Sequence, residues 1–108
     1  MHRFIPAPIV LTTAMAPWTE TCAQAQAERI AVGRTVAESW CANCHLVGRQ
    51  AQGPAGDAAP PFAAVAALPS TTEMSLRAFL RTPHSRMPDY QLSQNELDGV
   101  VAYILSLR

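Results

Sequence analysis

The fold of this chain is decided by five consecutive residues, Cys41-Ala42-Asn43-Cys44-His45. Two thiols three positions apart on one helical turn can each add across a vinyl group of the same porphyrin. The imidazole that follows directly is then held under the iron at the centre of that ring. The pattern therefore predicts covalent attachment of haem c through Cys41 and Cys44, with His45 as an iron ligand.

Two other kinds of site use a pair of cysteines with this spacing. A thioredoxin-like redox pair needs a βαβ setting, and a zinc site needs a second pair of ligands at a suitable distance along the chain. The remaining cysteine is Cys22, and His2 and His84 do not form a paired-ligand motif. The sequence therefore favours haem attachment over a structural or redox dithiol.

The first 27 residues have the pattern of a secretory signal. A short basic start at 1–3 precedes a mostly apolar run at 5–16, and A-x-A cleavage sites end at Ala25 and Ala27. We expect removal of residues 1–27, Cys22 included, after Ala25 or Ala27, and export to the periplasm by the Sec route. The apolar run is shorter than the roughly 20 residues that span a bilayer, so we expect no membrane anchor.

Composition limits what the remaining chain, residues 28–108, can be. It is long enough for one domain, and a chain this short supplies only a marginal core by itself. The full sequence has eight basic and eight acidic residues, and every basic residue is an arginine. A zero net charge gives no electrostatic reason to bind nucleic acid or an anionic membrane surface.

Apolar periodicity predicts a helix at each end of this domain. Residues 28–44 carry apolar side chains at steps of three and four, and Gly33 within them marks a close approach of another backbone. Ser93 and Glu96 form a capping box, beside a hydrophobic staple, at the start of a final helix with a broad apolar face. We expect that face to pack against the apolar stripe of residues 28–44 that contains Gly33, which we call the Gly33 stripe.

The middle of the domain is predicted to be mostly loop. Glycines and prolines between residues 46 and 70 allow at most a short helical turn at 62–67. The carbonyl of Pro60 or of a neighbour could accept the proton on the far nitrogen of His45. A capping box at Ser70 and Glu73 predicts a short helix that stops before Pro83, with Met74 in a packing role.

Met87 lies in a polar stretch, residues 82–90, that Pro83 and Pro88 keep out of regular helix. A thioether that reaches a haem pocket needs such a stiff, non-helical carrier. We therefore predict Met87 as the second axial ligand, with packing in the core and replacement by His84 as the alternatives.

These features together resemble those of small bacterial class I cytochromes c, which are periplasmic and carry one haem. The resemblance covers the chain from Gly33 through the attachment motif and residues 59–62 to Met87-Pro88 and residues 100–104. It implies an all-α class I cytochrome c fold, in which crossing N- and C-terminal helices, a short middle helix and loops surround one covalent haem. It also implies the following roles: thioethers at Cys41 and Cys44, proximal ligand His45, distal ligand Met87, histidine acceptor Pro60, and packing of Gly33 against Val100 and Tyr103.

A haem iron with two protein ligands has no open position for a substrate, so the expected function is electron transfer rather than catalysis. We expect a monomeric periplasmic carrier whose redox partners are a dehydrogenase, an oxidase or a reductase. One alternative is a haem subunit bound tightly to a dehydrogenase, and another is a haem enzyme or gas sensor with a displaceable Met87. Arg81, His84 and Arg86 could form a basic rim for docking or could simply be solvated loop charges, and Phe62 with the apolar loop around it could equally present a neutral patch.

Overall fold

The computed structural model describes residues 7–11, 18–49 and 59–108. Within these ranges the chain forms four α-helices and one 3₁₀ turn and, apart from an isolated bridge between His84 and Met87, no β-structure. The elements are α1 (Trp18–Ser39), the 3₁₀ turn (Cys41–Asn43), α2 (Phe62–Ala67), α3 (Glu73–Arg81) and α4 (Gln94–Leu105). The predicted all-α class is confirmed. Residues 1–6 and 12–17 of the predicted leader and residues 50–58 of the predicted loop lie outside the described residues.

Helices α1 and α4 cross in close contact, and their crossing point is built from glycine. Gly33 of α1 lies against the backbone of Gly99 and Val100 of α4, and both glycines are buried. Because glycine has no β-carbon, the two backbones come into contact at this point. The contact brings the apolar faces of α1 and α4 together. The predicted pairing of the Gly33 stripe with the last helix is therefore observed, and Gly99 is its unpredicted counterpart.

The core is centred on α4 and is small. Leu97, Val100 and Val101 are its largest fully buried side chains. They pack with buried residues from the other three helices: Val36, Ala37, Phe62, Ala66, Leu76, Tyr103, Ile104 and Leu107. Every described helix thus places part of its apolar surface against α4.

The first helix differs from its prediction at both ends. It runs over Trp18–Ser39 instead of 28–44, and its described side chains before Ile30 are exposed. It ends before the attachment motif because the chain tightens into the 3₁₀ turn, where Asn43 Nδ2 donates to Trp40 O over 3.1 Å. A short polar side chain that satisfies a nearby carbonyl in this way competes with continuation of an α-helix.

The start of α3 also corrects the sequence prediction. Its N-cap is Thr72, not Ser70: Thr72 Oγ1 accepts from Ser75 N over 3.1 Å, and Ser75 Oγ accepts from Thr72 N over 2.8 Å. Ser75, at the third helical position, accepts from the N-cap amide, which is the role that the sequence predicts for Glu73. Met74 is 81% exposed and does not pack as predicted, because the buried side of α3 is the one that carries Leu76.

The start of α4 is as the sequence predicts. Ser93 Oγ accepts from Glu96 N over 3.2 Å, and Glu96 Oε2 accepts from Ser93 N over 2.8 Å. The predicted short helices at 62–67 and before Pro83 are also present as α2 and α3. Local signals therefore located three of the four helix segments within a few residues.

Candidate haem site

The attachment motif lies on the 3₁₀ turn that follows α1. The amides of Cys44 and His45 both donate to Cys41 O, over 3.1 and 2.9 Å, which folds the five residues into a compact unit. Neither cysteine is in a disulfide. Cys41 is half-buried, and burial raises the pKa of its thiol, whereas Cys44 is exposed. The motif thus places two sulfurs on one turn, one of them beside the protein interior.

His45 is oriented by a main-chain oxygen fifteen residues along the chain. Its Nδ1 lies 2.7 Å from Pro60 O. A carbonyl oxygen can only accept, so Nδ1 is the donor and carries the ring proton. This tautomer leaves Nε2 unprotonated, which is the form that binds a metal ion. The ring also packs against Phe62, with ring centroids 5.2 Å apart.

Met87 and Cys41 border the same cavity, although 46 positions separate them in the sequence. The cavity is lined mainly by apolar and aromatic side chains from the end of α1, from α3, from α4 and from the loop between the last two helices: Trp40, Cys41, Phe79, Leu80, Thr82, His84, Met87, Pro88, Asp89, Tyr90, Leu92 and Val100. A lining that is mostly apolar and aromatic, with few polar groups, is typical of the walls of cofactor sites. Cys41 and Met87 are the two sulfur-bearing members of that lining.

Two ring pairs form part of the cavity wall. Trp40 stacks on Tyr90 with ring centroids 5.3 Å apart, and Phe79 stacks on His84 with centroids 3.8 Å apart. Each pair joins a helix end to the Met87 loop. Stacking of an aromatic pair such as Trp40–Tyr90 adds about 0.5–1.5 kcal/mol beyond area burial. The loop that carries Met87 is therefore held on both sides.

Polar contacts close the neck of that loop. Arg81, the last residue of α3, donates to Oε1 of Gln94, the first residue of α4, over 2.6 Å. One turn further from the loop, Arg77 of α3 pairs with Glu73 at 2.9 Å and with Asp98 of α4 at 2.5 Å. The Arg77 guanidinium holds the pKa of Asp98 below its usual value, first through their hydrogen bond, and both carboxylates raise the pKa of Arg77.

The structure brings the predicted site residues together in two groups. His45 and Pro60 share a hydrogen bond, and Cys41 and Met87 share a cavity; Cys44, on the same turn as Cys41, is exposed and is not among the described residues that line the cavity. Phe62 is 5% exposed, so its own ring does not form part of the predicted neutral docking patch. Its ring packs against the ring of His45 instead.

Three side chains near the site make hydrogen bonds that the sequence did not predict, because their acceptors are main-chain oxygens. Tyr103 Oη donates to Val47 O over 2.6 Å, Arg49 donates to the main-chain oxygens of Ser106 and Arg108, and Arg108 donates to those of Ala66 and Thr71. Every residue has a carbonyl oxygen, so no residue type in the sequence marks such an acceptor.

Crossed terminal helices, a C-x-x-C-H turn and a methionine on a stiff loop beside one apolar cavity define the class of small c-type cytochromes. The comparisons with known proteins identify the family. Residues 28–104 match the family model described as cytochrome c oxidase, cbb3-type, subunit III, and the chain belongs to this cytochrome c family. It is also 42% identical over 76 residues to cytochrome c-552 of Bradyrhizobium diazoefficiens, covering 70% of this chain and 72% of that protein. No solved structure matches the chain significantly.

Family membership implies covalently bound haem c, and the residues fit it. Cys41 and Cys44 provide the two sulfurs, and the described residues contain no cluster of three or more His, Cys, Asp or Glu side chains that would suit a zinc ion instead. When bound, haem c supplies one-electron redox chemistry at its iron. The protein is a c-type cytochrome and carries electrons between redox partners. Among the described helices, none is both long and apolar enough to cross a bilayer.

Proposed function

We propose that this protein is exported to the periplasm, where residues 28–108 carry one haem c and shuttle single electrons. In this proposal Cys41 and Cys44 hold the thioethers, His45 is the proximal ligand and Met87 the distal ligand. Its redox partners are a dehydrogenase, an oxidase or a reductase. The protein acts as a monomeric carrier and does not itself catalyse a chemical conversion.

One observation carries the ligand assignment. Cys41 and Met87 border a single apolar cavity, while the His45 ring, four residues after Cys41, donates from Nδ1 to Pro60 O and leaves Nε2 to bind iron. A neutral imidazole and a thioether together favour the reduced iron more than harder ligand sets do, so the reduction potential is raised. The arrangement suits a carrier that accepts an electron readily and releases it to a stronger oxidant.

The side chains around the cavity limit rearrangement during electron transfer. The Trp40–Tyr90 and Phe79–His84 stacks and the Arg81–Gln94 contact restrain the Met87 loop, and the Pro60 carbonyl restrains the His45 ring. A site whose ligands keep their positions in both oxidation states needs little reorganisation when an electron arrives or leaves. No residue here needs to move a proton for the transfer to occur.

The exposure of the first helical turns is compatible with removal of the leader. The described side chains of residues 18–28 are exposed, and the buried stripe of α1 begins only around Ile30 and Gly33. Removing residues 1–27 would therefore leave the described core intact. Sequencing the N-terminus of the exported, haem-bearing protein tests the predicted cut after Ala25 or Ala27.

A tightly bound subunit is the second candidate, because the family model takes its description from an oxidase subunit. The 42% identical relative is described as a cytochrome c-552 without a subunit designation. Size-exclusion chromatography of the native periplasmic extract, followed by haem absorbance, separates the two functions. A carrier elutes as a single small species, whereas a subunit elutes with a larger dehydrogenase or oxidase.

The ligand assignment is tested by Met87→Ala, with Met74→Ala as its matched control. Met74 is 81% exposed on α3 and is not among the residues lining the cavity, so its loss should leave the spectrum and potential unchanged. Met87→Ala should retain covalent haem, lower the reduction potential and allow carbon monoxide to bind the reduced protein rapidly. An unchanged spectrum in Met87→Ala would exclude Met87 as a ligand, and rapid carbon monoxide binding to the wild type would favour a gas sensor.

A further inference from the structure

The segment that follows His45 is attached to the end of α4 by two separate side chains. Tyr103 Oη donates to Val47 O over 2.6 Å, and the Arg49 guanidinium donates to Ser106 O and, over 3.4 Å, to the main-chain oxygen of Arg108. Tyr103 is buried, at 6% exposure, so its hydroxyl is committed to this acceptor. Residues 45–49 therefore cannot move away from α4 without breaking contacts from both side chains.

The other side of the His45–Pro60 contact is attached to the same helix end. Arg108 Nε donates to Ala66 O over 3.0 Å, and its guanidinium also donates to Thr71 O, which ties α2 and the turn after it to the end of α4. Thr71 Oγ1 in turn donates to Val65 O over 2.6 Å. Pro60 lies two residues before α2, so its position depends on where Arg108 holds this helix.

A further hydrogen bond joins the two sides directly. Phe62 N donates to Leu46 O over 2.9 Å, beside the 2.7 Å contact of His45 Nδ1 with Pro60 O. His45 and Pro60 are fifteen positions apart, so local chain geometry does not fix their separation. Besides this direct bond, both segments are held by one helix end, through Tyr103 and Arg49 on one side and through Arg108 on the other.

We propose that Tyr103, Arg49 and Arg108 form a C-terminal clamp that positions His45 against the Pro60 carbonyl and thereby tunes the reduction potential. The clamp residues do not touch the iron site in this proposal; they act through the Nδ1–H···O contact. A strong acceptor at Nδ1 makes the imidazole a better electron donor, and a better donor stabilises oxidised iron. Loosening the clamp should therefore weaken that contact and raise the potential. This inference rests on His45 being the proximal ligand.

Tyr103→Phe removes only the hydroxyl that holds Val47, and Ser106→Ala is its matched control. Ser106 Oγ is part-buried and donates to Tyr103 O over 2.6 Å, so the control loses a hydroxyl contact internal to the same turn. We expect a similar small loss of thermal stability in both variants. Only Tyr103→Phe should raise the ratio of reduced to oxidised protein at a fixed ambient potential, by severalfold, where a tenfold change equals about 59 mV for one electron.

A second pair of variants tests the exposed part of the clamp. Arg49→Gln removes the charged donor to Ser106 O and should also raise the potential, whereas Arg34→Gln, which breaks an exposed pair with Glu38 on α1, should not. Hydrogen exchange of the Phe62 amide provides a readout independent of the iron. It should be faster in Tyr103→Phe and Arg49→Gln than in their controls, because opening of this contact exposes the amide to solvent.

Different outcomes test the clamp and the proposed function. Equal potentials and equal Phe62 exchange in Tyr103→Phe and Ser106→Ala would overturn the clamp, whatever their stabilities. Absence of covalent haem from the wild type would overturn the proposed function, and Phe62 exchange would then decide the clamp by itself. A raised potential with retained covalent haem in both clamp variants, and in neither control, supports the clamp.

Discussion

Gly33 and Gly99 face each other where α1 and α4 cross, and neither position has room for a β-carbon. A β-carbon on Gly33 would lie 1.8 Å from Gly99 O and 2.7 Å from Val100 N, and one on Gly99 would lie 2.7 Å from Gly33 N. All of these atoms belong to backbone, so no side chain can turn aside to make space. Contact between the two helices therefore depends on glycine at both positions.

Gly33→Ala should destabilise the protein by about 3 kcal/mol, because the added methyl forces the two helix axes apart and loosens the core around α4. Ala31→Ser, an exposed change two residues earlier on α1, is the control and should change stability by no more than about 0.5 kcal/mol. Urea unfolding of the haem-bearing proteins measures both. Equal stability of Gly33→Ala and wild type would mean that the helices do not cross this closely.

Removing both attachment cysteines should leave the exported chain largely unfolded. The core has three large fully buried side chains, Leu97, Val100 and Val101, and a chain of this size is only marginally stable without a further apolar centre. Circular dichroism of the Cys41→Ser/Cys44→Ser protein checks this. Cys22→Ser is the matched control, since Cys22 is exposed in the predicted leader. A compact, fully helical double variant would show that the chain folds without its haem.

The position of the α3 cap predicts a difference between two nearby substitutions. Thr72→Ala should lower stability by about 1 kcal/mol because it removes the acceptor of the Ser75 amide. Ser70→Ala should change it by less than about 0.5 kcal/mol, since the contact at Ser70 uses its main-chain oxygen. Thermal unfolding of the two variants compares them. A larger loss of stability in Ser70→Ala than in Thr72→Ala would mean that Ser70 is the N-cap, as the sequence predicts.

Asp98 should make the protein more stable as pH rises through the acid range. Its pKa is lowered in the folded protein, first by the hydrogen bond from Arg77, so the unfolded chain binds the proton more tightly. The contribution is fully present above the ordinary aspartate pKa of about 3.9 and is lost as pH falls through the lower folded value.

Asp98→Asn should remove this part of the pH dependence. The difference in urea midpoint between wild type and Asp98→Asn should shrink towards zero as the pH is lowered through that range. Glu38→Gln, which breaks an exposed pair on α1, is the control and should give a smaller difference throughout. A difference that stayed constant with pH would contradict the role of the Arg77–Asp98 pair.

Patterns within one segment predicted most of the helices and the attachment motif. The Ser93–Glu96 capping box and the apolar steps of α4 involve residues within one or two turns, so they are visible in sequence. The end of α1 was misplaced because Asn43 satisfies the Trp40 carbonyl and the chain tightens there. The start of α3 was misplaced because serine and threonine occur at several adjacent positions, and only the packed backbone selects Thr72.

The sequence by itself determined that two thiols and an imidazole lie on one turn, that Met87 lies on a proline-flanked loop, and that α1 and α4 each carry an apolar stripe. Tertiary structure alone decided that Gly99 meets Gly33, that Pro60 and not a neighbour places its oxygen 2.7 Å from His45 Nδ1, and that Arg108 and Tyr103 hold the segments on either side of that contact. The physical reason is that these contacts join backbone groups far apart in the chain. Backbone groups are the same at every position, so only folding determines which of them meet.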